Sequence, residues 1–102
     1  MRLFLATAAL VYSFQLVAQT HHHELVFSRA SELMAWCEAE ARAHFVGRGV
    51  TTYQWTGRYY DEGNVFFVEG TIRADRHDVP VACRVARGGR ERYAIVEIKE
   101  PT

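Results

Sequence analysis

The spacing of hydrophobic positions changes twice along this chain. From Leu3 to Val17 they run almost without interruption: Leu3, Phe4, Leu5, Ala6, Ala8, Ala9, Leu10, Val11, Phe14, Leu16 and Val17. Later they recur at every third or fourth residue, at Ala30, Leu33, Met34, Cys37, Ala41 and Phe45. That spacing predicts one apolar stripe on a helix. After Gly49 the period becomes two, which predicts strands with one buried face. The chain therefore divides into a leader, a helix and a sheet.

The helix has legible ends. Ser28 offers an N-cap, and Gly47 and Gly49 follow the last stripe residue, where glycine commonly closes a helix. Trp36 lies beside the stripe and widens it. Glu32, Glu38, Glu40 and Arg42 fall mostly on the polar side.

Four strands are predicted over Val50–Tyr60, Val65–Ala74, Val79–Arg87 and Arg90–Ile98. Turn-forming strings separate them: Asp61-Glu62-Gly63-Asn64, Asp75-Arg76-His77-Asp78 and Gly88-Gly89. Gly-Gly between two strands is a two-residue hairpin signal. Pairing Arg87 with Arg90 sets Cys83 opposite Ala94 and Arg92 opposite Val85. Pairing Asp75 with Asp78 sets Gly70 opposite Cys83, and pairing Tyr60 with Val65 sets Trp55 opposite Gly70. One inner face results: Tyr53, Trp55, Phe66, Val68, Ile72, Val81, Cys83, Val85, Val96 and Ile98.

Helix and sheet each have one apolar face and must cover each other. Cys37 lies in the middle of the helix stripe, and Cys83 lies in an inner row reading Trp55, Gly70, Cys83, Ala94. The expectation is a Cys37–Cys83 disulfide at the core centre. The fold class expected is α+β: one N-terminal helix on a four-stranded antiparallel meander, the two joined by that disulfide. This order of elements resembles the cystatin-like architecture. Inhibitory cystatins carry a reactive Gln-x-Val-x-Gly segment at a loop. The nearest string here, Phe66-Phe67-Val68-Glu69-Gly70, lacks the glutamine and falls inside a strand. No inhibitory function is carried over from the resemblance, because fold alone does not imply function.

The leader changes the expected compartment. Met1 and Arg2 give a positive start, the apolar run follows, and Ala18 is the best small residue for cleavage. Residues 1–18 are read as a signal peptide, 19–27 as a polar linker with a histidine tract, and 28–102 as a single domain. The apolar run falls short of the about 20 residues a membrane span needs, so the mature form is expected to have no stable span. Two cysteines without a CxxC pair suit an oxidising compartment and not zinc. The expected location is periplasmic or secreted.

Composition narrows the field of functions. Twelve basic and twelve acidic residues give a formal net charge of zero. Nucleic acid is therefore not an expected partner, since it needs a strongly basic face. An enzyme is not expected either. The cysteines are committed to the disulfide, and His44, near the helix end, and His77, in a turn, are given no shared pocket. The expected role is a non-catalytic binding module of the cell envelope.

Two sites are singled out. A cut after Ala18 or Gln19 leaves His21 or His22 third from a free amine. An amine, two backbone amides and an imidazole form a square-planar site for Cu(II) or Ni(II). His21, His22 and His23 are thus metal candidates, and an accessory metal-binding protein is the alternative function. No other cofactor is implied. The second site is the outer sheet face, where the expected registers send Phe67, Tyr93 and Ile95 outward, with Arg84 opposite Tyr93 and Tyr60 near the rim. Aromatic residues with arginine match the composition of interface centres. The partner expected there is an envelope protein or a second copy of the chain.

Overall fold

The computed structural model of the chain describes residues 24–100. The leader and the histidine tract lie outside the described residues. Helix α1 spans Ala30–Val46. Four strands follow in a single antiparallel sheet: β1 (Thr52–Glu62), β2 (Val65–Ala74), β3 (His77–Ala86) and β4 (Ile95–Ile98). A short 3-10 turn, Glu91–Tyr93, precedes β4. The sheet order is β1-β2-β3-β4, a simple meander with α1 on one face. The fold class read from the sequence is the observed one. Among the described residues no helix is long and apolar enough to cross a membrane.

The helix begins one residue later than expected, with Arg29 at the N-cap position. Glu32 explains this start. Its carboxylate accepts the Ser28 and Arg29 amides at 2.7 and 3.1 Å, satisfying donors that the first turn leaves without partners. Those bonds, Ser28 first, hold the Glu32 carboxyl below the usual range. At the far end Gly49 takes a φ of 77°, where a side chain would be strained. Leu33, Cys37, Ala41 and Phe45 point into the core and are fully or almost fully buried.

Cys37 and Cys83 are bonded, with a Cα–Cα distance of 6.0 Å. Both sulfurs are buried at the centre of the helix–sheet contact, as the stripe and the inner face require. The bridge spans 46 residues of chain.

All three strand registers differ from expectation by two residues. β1 closes on β2 with Glu62 opposite Val65, and β2 on β3 with Ala74 opposite His77. The loops are thus Gly63-Asn64, the last two residues of one turn string, and Asp75-Arg76, the first two of the other. Gly63 has a φ of 65° and Asp75 one of 57°, and aspartate tolerates that region better than most residues. A slip of two preserves the side-chain faces. The inner-face set therefore stands, but its rows change. Cys83 lies between Val68 and Val96, not between Gly70 and Ala94. Trp55 faces Ile72 and reaches diagonally across the two glycines beside it. A Cβ at Gly70 would sit 2.5 Å from the Trp55 ring, and one at Gly57 3.0 Å. Tyr53 leaves the inner face: a bulge between Thr52 and Trp55 shifts the register, and Tyr53 is exposed.

Gly88-Gly89 does not form a hairpin. The chain between β3 and β4 is held instead by residues 24–27. Phe27 N–H donates to Gly89 O at 2.9 Å, Gly88 N–H donates to Phe27 O at 2.8 Å, and Glu91 N–H donates to Leu25 O at 2.9 Å. Val26 bridges Arg90 in the antiparallel sense. Both glycines are needed for the turn itself. Gly88 has a φ of 77°, and a Cβ on Gly89 would lie 2.8 Å from Ala86 O. Phe27 is 1% exposed and packs edge-to-face on Trp36, with ring centroids 5.9 Å apart. Residues 24–27 are therefore attached to the domain, and Phe27 joins its core, where the sequence suggested linker. Arg92 completes the attachment. Its Nε and one terminal nitrogen donate to the Glu24 carboxylate at 2.8 Å each. These bonds pull the Glu24 carboxyl from its ordinary 4.5 to about 2.

Candidate binding face

The face of the sheet opposite the helix carries the residues the sequence singled out. Pleating alternates side chains between faces. The observed registers align Tyr60, Phe67, Arg84 and Ile95 in one row across all four strands. Arg84 lies opposite Phe67 and Ile95, and not opposite Tyr93 as expected. The reason is that residues 90–94 form no strand: Arg90 is taken by Val26, and Tyr93 stands in the 3-10 turn. Tyr93 nevertheless comes to the same place. Val65, Phe67, Arg84, Ala86, Tyr93 and Ile95 all line one shallow groove of about 320 Å³.

The row is partly ordered by its own contacts. Tyr60 stacks on Phe67 with centroids 5.2 Å apart and rings 16° from parallel. The Arg58 guanidinium lies 5.0 Å from the Tyr60 ring centroid, a cation–π distance. Arg58 also pairs with Glu69 at 2.6 Å, and Tyr60 O–H donates to the same carboxylate at 3.1 Å. Desolvation, then the Glu69 carboxylate, pushes the Tyr60 hydroxyl above its ordinary pKa. Phe67 is half-buried by these neighbours, while Tyr93 and Ile95 are 67% and 42% exposed. Arg84 is exposed and has no carboxylate partner among the described residues.

Two further surfaces escaped the sequence reading. Leu25 and Val26 are about half exposed, and with Phe27, Ala35, Trp36 and Ala39 they line a hollow of about 430 Å³ beside α1. The signal for it was the apolar triplet Leu25-Val26-Phe27, too short for any period to show. The Trp36 indole N–H there donates to Glu91 at 2.9 Å. The second surface lies between the two histidines that were given no shared pocket: His77 lines it and His44 does not. His77 and Asp75 line a hollow of about 260 Å³ together with Glu100, whose carboxylate meets His44 Nε2 at 2.7 Å and Arg48 at 2.7 Å. The pairing of β3 with β4 carries the chain's end back to the end of α1. Among the described residues, no serine, threonine or cysteine lines that hollow.

The metal candidates His21, His22 and His23 lie outside the described residues. Among the described residues no three His, Cys, Asp or Glu side chains are grouped to hold a metal. The chain matches no protein-family model, no curated protein and no solved structure.

Proposed function

We propose that this chain is an exported, non-catalytic binding module. It engages a protein partner, another envelope protein or a second copy of itself, through the outer face of its sheet. One observation carries the reading: Phe67, Arg84, Tyr93 and Ile95 converge on a single groove although they come from three strands and a turn. A concave apolar surface with an unneutralised arginine has the composition of an interface centre. The leader and the disulfide support export, since disulfides persist in oxidising compartments. Most of the inner face is covered by α1, with Tyr59 on it 51% exposed, whereas no element among the described residues covers the outer face.

Replacing Phe67 and Ile95 together by serine tests this. Neither side chain is in the buried core. The double variant should lose no more than about 1 kcal/mol of stability, the scale of surface substitutions, while losing association in cross-linking of the native envelope fraction. Unchanged association, or a loss of several kcal/mol, would defeat the reading.

A further inference from the structure

The charges on the outer face identify the partner it fits, and this inference rests on the binding role just proposed. Two ion pairs close within the face, Arg58–Glu69 at 2.6 Å and Arg73–Asp78 at 2.9 Å. Among the described residues, Arg84, Glu97 and Glu62 are the outward strand charges without a counter-ion, and Lys99, one residue past β4 and bonded through its backbone N–H to Pro80, adds an unpaired cation beyond Glu97. Glu62 stands at the end of β1, on the opposite edge of the sheet. Arg84 and Glu97 are neighbours on β3 and β4, and both are exposed.

Their placement follows from the register. Arg84 is opposite Ile95, and Ala82 is opposite Glu97. These four residues mark a rectangle on one face, with the charges at opposite corners. Diagonal neighbours on a sheet are about 7–8 Å apart, and Arg84 and Glu97 form no ion pair with each other. Ile95 and Ala82 occupy the other diagonal. A twofold rotation about the Ile95–Ala82 diagonal brings Arg84 of one copy close to Glu97 of the other, within reach of two long side chains, and the reverse. It also stacks Ile95 on Ile95. A twofold interface must be self-complementary in this way, each patch meeting its own copy.

We propose that the outer face is the interface of a homodimer, in which Arg84 of each chain pairs with Glu97 of the other around a self-packed Ile95. The available area is of the right order. Strands about 4.8 Å apart and up to ten residues long, at about 3.4 Å each, offer roughly 600 Å² in projection before side-chain relief. A standard interface buries about 800 Å² per partner. Face-to-face packing of two such sheets is an established arrangement, with cores about 10 Å thick.

Sedimentation velocity on the oxidised chain tests the proposal. A dimer should dominate at about 100 μM, well above the μM end of the range for interfaces of this size. Arg84→Glu and Glu97→Arg should each weaken it by about tenfold or more, because each sets like charges face to face. The double variant Arg84→Glu/Glu97→Arg should recover most of the loss, which a merely structural role for either residue would not produce. Circular dichroism and the absence of free thiol verify folding. If a reversal unfolds, Arg84→Gln and Glu97→Gln must weaken the dimer instead. A wild-type chain that is monomeric at about 100 μM overturns the homodimer and leaves the binding face to the Phe67→Ser/Ile95→Ser test. A dimer indifferent to both reversals, or a double variant as weak as the singles, also overturns it.

Discussion

The two faces of the sheet contain the same kinds of residue in different states of completion. On the inner face, α1 covers Phe66, Val68, Ile72, Cys83 and Val85, and each is buried to 3% exposure or less. Cys37 is bonded through that face, and the Trp55 ring fills the space over Gly57 and Gly70. On the outer face Phe67 is covered by a stacked Tyr60, Ile95 is open, and two charge pairs close locally while Arg84 and Glu97 have no ion-pair partner among the described residues. Antiparallel sheets tolerate such one-sided burial. The lesson is about where energy resides. Stability is concentrated on the helix side, so the other side is free to be selected for contact.

The sharpest test of that division lies outside the sheet. Phe27 is part of the helix-side core although it belongs to neither helix nor strand. Phe27→Ala should destabilise the domain by roughly 3–5 kcal/mol, the range for a buried phenylalanine, as read by urea unfolding. A loss below about 1 kcal/mol, typical of surface positions, would return residues 24–27 to the status of linker. Next in size is the covalent link between the layers. Replacing Cys37 and Cys83 together by alanine should remove about 2–4 kcal/mol and leave outer-face association per folded molecule unchanged. Association that fell with the disulfide would mean that the two faces are coupled.

The smallest expected effect concerns the clasp between Glu24 and Arg92. The Glu24 carboxyl is depressed from 4.5 to about 2, chiefly by its side-chain hydrogen bonds from Arg92. A depressed carboxyl contributes stability that is fully present above its unfolded value and is lost as pH falls through its folded value. The stability difference between wild type and Glu24→Gln should therefore be flat above pH 4.5 and vanish between there and pH 2. The pair is solvent-exposed, so the difference should be small. A difference independent of pH would show that glutamine replaces the clasp equally well.

The architecture was legible because parity is robust. Alternation told which side chains share a face, and that information survives a register slip of two. It did not tell which residues are opposite, since a turn string such as Asp61-Glu62-Gly63-Asn64 can tighten to its last two residues and lengthen one strand by the other two. Arg84 was therefore placed on the correct face beside the wrong neighbour. Phe27 was missed for a different reason: three apolar residues in a row have no period. Gly88-Gly89 was misassigned because two glycines serve equally for a two-residue hairpin and for a turn whose continuation pairs with another segment. Only the position of Phe27, more than sixty residues away in sequence, distinguishes the two.

That distance has a temporal meaning. Glu24 and Arg92 are separated by 68 residues, and Cys37 and Cys83 by 46. Chains are made at about 5–20 residues per second. Gly88 and Gly89, the glycines that receive the Phe27 backbone, are therefore made several seconds after Phe27, and Cys83 somewhat less long after Cys37. Until β3 exists the helix has no staple, and until the loop after β3 exists the first residues of the domain have nowhere to dock. The first part of this domain to be synthesised is among the last that can take its final place.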